Sequence, residues 1–346
     1  MPESQQIPAG GDALPGAGSP PPEAPEVRAV TLDAGGVPVS GLLAEPLRTP
    51  PRAVVVAVHG GGMRAGYFDS RARPGLSLLT LGAELGFTVL SLDRPGYGVS
   101  APHFPEGLPL ADQARTLYAA LDDFARTHPL GAGFFLVAHS NGGKLALTAA
   151  AQERGDSLLG LDVSGLGTRL AVTPDQLPGA GAPGAWRRHW GALRLYPPDA
   201  FRLGRELVAP VPAVEAREAP LWPEAYPALA ARVRVPVRFT FAEQEQWWRF
   251  DPGAVAALTA PLAAPKVRVD QLQDAGHNIS LGWAARTYHL QAFGFLEECL
   301  LARDAAMPRP RDGALRSQTP APGTERIHAA LHRTRVPVPV PERAAC

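Results

Sequence analysis

The chain has 346 residues, enough to bury one large core with an inserted lid or two modest domains. Its 33 basic and 33 acidic residues cancel, and it has no basic stripe or interleaved aromatic surface, which argues against a nucleic-acid partner and for a small, roughly neutral substrate. Two cysteines, Cys299 and Cys346, with no C-x-x-C pair and no histidine cluster, speak against a disulfide framework or a zinc site. No apolar run approaches the roughly eighteen residues of a membrane helix and no charged leader precedes an apolar core, so the expectation is a soluble cytoplasmic protein without a membrane span.

Residues 1–26 are rich in Pro, Gly and Ala without periodicity, and 303–346 are rich in Pro, Arg and Ala; both are expected to be disordered tails around a domain at 27–302. Val27–Leu32 and Val37–Leu43 alternate around Ala34-Gly35-Gly36 and predict two antiparallel edge strands. Continuous apolar runs then alternate with helical segments. Ala53–Val58 is followed by a helix near Leu76–Leu85, Phe87–Leu92 by one near Ala111–Thr127, and Phe134–Ala138 by one from Gly142. Leu158–Val163 continues the rhythm. Strands of this kind are buried on both faces of a parallel sheet. An irregular, Pro- and Trp-containing stretch at about 165–232 interrupts the alternation, which resumes with Val235–Phe241, a helix near Pro252–Leu262, Val267–Leu272 and a last helix near Ala284–Leu301. Such an insert between two sheet strands is expected to form a lid over the strand ends.

In an open parallel sheet, ligands bind beyond the carboxyl ends of the strands, so the residues just after each strand are the candidates for chemistry. After Phe134–Ala138 comes His139-Ser140-Asn141-Gly142-Gly143, where a sharp strand-to-helix turn would hold the Ser140 hydroxyl out of the sheet. Ala138 stands where the G-x-S-x-G pattern has its first glycine; little side-chain volume is still what it provides. His59-Gly60-Gly61-Gly62-Met63 follows the Ala53 strand, and its glycines let backbone N–H groups approach an oxygen anion, with the Asn141 N–H as a second donor. Ala242-Glu243-Gln244-Glu245 follows the Val235 strand, and Asp274-Ala275-Gly276-His277-Asn278 follows the Val267 strand. The order is serine, acid, histidine. A serine hydroxyl needs a base to attack a carbonyl, imidazole can take and return the proton, and a carboxylate fixes the imidazole tautomer. His277 is the candidate base. For the acid, Glu245, Glu243 and Asp162 all compete. His59 and His139 are expected to support their loops, and His189 to be a surface or lid residue.

The motifs HGGGM, DRPGYGVS, AHSNGG, AEQE and DAGHN together resemble the α/β-hydrolase superfamily of lidded serine hydrolases, over about residues 27–303. The resemblance implies an α/β fold with an eight-stranded, mostly parallel sheet, helices on both faces and a helical cap between the sixth and seventh strands. It also implies a Ser140–Glu245–His277 triad, with Gly61 and Gly62 joining Asn141 in the oxyanion hole. Cleavage of an ester or related acyl bond in a small, largely apolar substrate through an acyl-Ser140 intermediate is then expected, without metal or organic cofactor. Trp186, Trp190, Trp222, Trp247 and Met63 are candidates to contact the substrate. Thioester cleavage or acyl transfer on an acyl carrier protein, and carbon–carbon bond hydrolysis, would use the same triad; a non-catalytic binding protein would be expected to lack part of it.

Overall fold

The computed structural model describes residues 24–152, 157–177 and 185–306, without the side chains of Pro174, Ala185, Trp186 and Ala306. The eight strands are β1 (Arg28–Asp33), β2 (Pro38–Ala44), β3 (Val54–Val58), β4 (Thr88–Leu92), β5 (Phe134–His139), β6 (Leu158–Ser164), β7 (Val237–Gln244) and β8 (Val267–Gly276). They form one sheet in the order β1-β2-β4-β3-β5-β6-β7-β8. The first two strands pair antiparallel, β2 meets β4 antiparallel, and the remaining pairs are parallel.

The central strands are apolar throughout because both their faces are covered. Val54, Val56 and Val58 of β3 point into one core, with Leu117, Leu121 and Phe124 of α2 (Leu110–Thr127) and Leu145 of α3 (Asn141–Gln152). Val55 and Ala57 point into the other, with Leu78 and Leu81 of α1 (Leu78–Glu84) and Phe293 and Leu296 of α9 (Ala285–Ala306). The twofold alternation of a strand therefore sorts one sequence run into two cores. The helix α8 (Pro252–Thr259), begun by an Asp251 side chain that accepts from the Ala254 N–H at 2.9 Å, joins β7 to β8. The last helix runs to Ala306, beyond the expected boundary at 302; the expected tails otherwise fall almost wholly outside the described residues.

Among the described residues, the insert between β6 and β7 carries four short α-helices: α4 (Ala185–Trp190), α5 (Pro198–Gly204), α6 (Ala213–Glu218) and α7 (Trp222–Ala230). Isolated helices this short are unstable, so packing and hydrogen bonds must hold them. The bonds run to the strand-end loops. The Ala209 N–H donates to the Gly62 carbonyl at 2.9 Å, the Asn278 N–H to the His189 carbonyl at 2.9 Å, and the Trp222 indole N–H to the Gly167 carbonyl at 3.0 Å. Among the described residues, no helix is long and apolar enough to cross a membrane.

Candidate active site

Ser140 stands between β5 and α3 with φ +52°, one of only two non-glycine residues at positive φ among those described. That region is costly for a residue with a Cβ and is held here by the bonds around it: the Ser140 N–H donates to the Ser164 carbonyl and its carbonyl accepts from the Gly143 N–H, both at 2.8 Å. The helix leaves the turn so close to β3 that a Cβ on Gly142 would collide with the Val58 carbonyl oxygen. Small residues after the serine are thus a packing requirement.

His277 and Ser140 line the same cavity beneath the cap. The His277 Nδ1 lies 2.8 Å from Glu245 Oε2, and the other carboxylate oxygen accepts from the Trp247 N–H at 2.9 Å. With Nδ1–H directed at the carboxylate, the Nε2 lone pair is left for a proton donor. A bulge between Ala242 and Gln244 turns the chain at the end of β7 and delivers Glu245 to the histidine. The two competing acids are elsewhere. Glu243 is exposed and accepts from the Asp274 N–H at 2.8 Å, holding the loop that leads to His277. Asp162 is fully buried within β6, bonded to Arg238 Nη1 at 2.7 Å and to the Tyr288 hydroxyl at 2.9 Å.

The other histidines near the site are neutral. The Arg94 N–H donates to His59 Nε2 at 3.0 Å, so the His59 proton sits on Nδ1, which lies 2.8 Å from the Gly60 carbonyl; burial and then the Arg94 charge hold its pKa well below the usual value. His139 stacks on Tyr67 at 4.7 Å, lies 4.7 Å from the His277 ring, and is kept neutral by burial first and by His277 second. His189 is not a peripheral residue. Its ring lies 5.7 Å from that of His277 and lines the cavity, where burial and then His277 push its pKa down to about 3.

The cap also brings in a carboxylate that the sequence did not single out. Glu215 of α6 is buried and accepts from Arg94 Nη2 at 2.9 and 2.8 Å, from the Tyr97 hydroxyl at 3.0 Å and from Asn141 Nδ2 at 2.7 Å. Beside it lies Gly61, where a Cβ would come within 2.8 Å of Glu215 Oε1 and 2.7 Å of Asn141 Nδ2. Of the three candidate oxyanion donors, the Gly62 N–H is engaged with the Tyr97 hydroxyl at 3.2 Å. The Gly61 and Asn141 N–H groups have no acceptor among the described residues.

The candidate aromatics separate. Trp247 and Trp248 line the cavity, whereas Trp222 is buried behind it against Tyr226. Trp190 packs its ring within the cap on Tyr196 and Phe201, each at 4.8 Å, while its carbonyl lies against Gly276. Met63 packs against the second core. The Trp186 side chain lies outside the described residues.

The family model described as "Alpha/beta hydrolase family" matches residues 54–290. Among solved structures, the chain is similar to the proline iminopeptidase of Mycobacterium smegmatis (17% identity, TM-score 0.60, covering 80% of this chain and 100% of that one). It is also similar to the 2-hydroxy-6-oxo-6-phenylhexa-2,4-dienoate hydrolase of Rhodococcus sp. strain RHA1 (17%, 0.58, 80% and 99%). A third likeness is to Est1E of Butyrivibrio proteoclasticus (16%, 0.52, 79% and 99%). No curated protein matches significantly. At these identities the structures speak for the fold alone, but the family model runs from the first parallel strand into the last helix, and the chain belongs to the alpha/beta hydrolase family.

Proposed function

We propose that the protein is a serine hydrolase that cleaves an ester or related acyl bond, with Ser140 as nucleophile, His277 as base and Glu245 as the carboxylate that orients it. The observation that carries this reading is the 2.8 Å contact between His277 Nδ1 and Glu245 Oε2 at a cavity that Ser140 also lines. In the first half-reaction the Ser140 Oγ–C bond forms as its proton passes to His277 Nε2, and that proton then goes to the leaving oxygen as its bond to the acyl carbon breaks. In the second, water gives a proton to His277 and attacks the acyl carbon; the proton returns to Ser140 as the acid departs. The free N–H groups of Gly61 and Asn141 would receive the negative oxygen in both. Trp247, Trp248 and Leu177 give the cavity an apolar wall. Its interior holds only about 30 Å³, so an acyl chain requires the cap to move.

The test is labelling of the purified protein by a fluorophosphonate, together with turnover of 4-nitrophenyl esters and of an acyl thioester. Labelling and turnover that both vanish in Ser140→Ala are expected. Labelling that persists in the variant, or a native protein that neither labels nor turns over, sinks the proposal. Thioester turnover well above ester turnover would move the substrate class toward carrier-bound acyl groups. The acid is tested separately: Glu245→Gln should lower kcat about 10³-fold or more, whereas Glu243→Gln should stay within about threefold of the parent. Equal losses in the two variants would remove Glu245 from its role.

A further inference from the structure

The chain has two lysines, Lys144 and Lys266. Lys266 is half-exposed and paired with Glu298 at 2.5 Å, as a surface lysine is expected to be. Lys144 is 5% exposed, sits in the first turn of α3 four residues after Ser140, and lines the cavity that holds Ser140 and His277. Two features of that position disfavour a cation: the side chain is buried, and it lies at the positive end of a helix. Nevertheless its Nζ makes no hydrogen bond or ion pair among the described residues. It meets only the faces of Trp222 and Trp248, at 5.8 and 5.9 Å.

The nearby charges do not supply the missing anion. Glu215 is already committed to Arg94, Tyr97 and Asn141. Glu218, on the same cap helix, is partly exposed and accepts from the Leu110 N–H at 3.2 Å; solvent screens it. Glu245 belongs to His277, and His59 and His189 are neutral. Arg94 and Lys144 against Glu215 leave the buried cluster one positive charge in excess. A second group in the same wall also lacks a partner: the buried Trp247 indole N–H has no acceptor among the described residues. A lysine kept only for packing would be served better by an apolar side chain of its volume.

We propose that Lys144 binds a carboxylate carried by the substrate, so that the favoured substrate is a half-acid whose apolar body bears one free carboxylate besides the bond to be cut. This rests on the hydrolase reading of the site. One carboxylate neutralises the single excess charge, and the Trp247 N–H offers it a second donor; a phosphate dianion would overshoot and leave negative charge beside Glu215. Burial, partly offset by Glu215, pushes the Lys144 pKa down to about 8, so the free site loses its charge, and its hold on an anion, as pH rises through that value.

The test measures binding apart from chemistry. Ser140→Ala protein is titrated calorimetrically with monomethyl succinate and monomethyl glutarate, and with the matching dimethyl esters, at pH 6.5 and at pH 9.5. At the lower pH at least one half-acid should bind about tenfold or more tighter than its diester; at the higher pH, and in Ser140→Ala/Lys144→Met, the preference should disappear. Equal binding of half-acid and diester, no binding of either half-acid at millimolar concentration, or a preference that survives Lys144→Met, would overturn the proposal. The comparison of ligands on the Lys144-containing protein needs no substitution at that site, so it holds even if Lys144→Met fails to fold. In parallel, mono-4-nitrophenyl glutarate is compared with 4-nitrophenyl butyrate as substrates of the intact enzyme. A carboxylate preference in binding without turnover of any acyl compound leaves the anion site standing and removes the hydrolase reading; turnover without a preference does the reverse.

Discussion

Ser140→Gly is expected to lose about 10⁴-fold or more in turnover and yet to melt at a higher temperature than Ser140→Ala. The loss follows from removing the proposed nucleophile, after which only binding and oxyanion stabilisation would remain. The gain follows from the backbone. At φ +52° Ser140 occupies a region that costs a residue with a Cβ about 1–3 kcal/mol, and alanine inherits that strain whereas glycine does not. Part of the relief is returned as the larger conformational entropy of an unfolded chain containing glycine, leaving a net gain of about 1 kcal/mol. For a domain of this size that is about 2–4 °C in Tm, measurable by calorimetry on the two variants side by side. A glycine variant melting at or below the alanine variant would mean that the turn stores no strain at this residue.

The order of strands and helices was legible because each central strand is buried on both faces and must therefore be a continuous apolar run, and because the insert breaks that rhythm. The candidate serine, acid and histidine could be picked out for a related reason: each follows a strand, and parallel strands end on one side of the sheet. Choosing Glu245 over Glu243 was harder, since a bulge at the end of β7, which has no sequence signature here, decides which glutamate turns toward His277. The cap was read least well. Its helices span six to nine residues, too few for a periodic stripe to say which face meets the core, so Trp190 and Trp222 look alike in sequence yet pack on different partners, Tyr196 and Phe201 for the first and Tyr226 for the second. Glu215 was missed because its partners Arg94 and Tyr97 lie more than a hundred residues away. The one signal available for Lys144 was its rarity, in a chain that otherwise uses arginine for its positive charge.

Arg238→Met should destabilise the sheet by about 3–5 kcal/mol at neutral pH. Asp162 and Arg238 are direct neighbours in the parallel register of β6 and β7, and both are almost completely buried. Arg238 bonds Asp162 at 2.7 Å, Asp270 at 2.8 Å and Gln291 at 2.6 Å, while Tyr288 holds the other Asp162 oxygen. Burial already raises the Asp162 carboxyl pKa above its usual value despite the opposing pull of Arg238, and removing the arginine raises it further. The sign then follows from linkage. An acid whose folded pKa lies above its unfolded value carries no penalty once pH is below the unfolded value, and the full penalty above the folded one, so the defect of Arg238→Met should shrink on acidification. Adding Asp162→Asn removes the stranded charge and should recover a large part of the loss at neutral pH. Denaturant melts of the two single variants and the double variant, at neutral and mildly acidic pH, give the coupling directly. Additive single effects with no pH dependence would mean that the pair is not coupled as its geometry requires. Since Asp162 makes no contact with His277, Asp162→Asn should retain turnover per folded molecule within about threefold. The same measurement therefore separates a carboxylate that holds two strands together from the one proposed to orient the base.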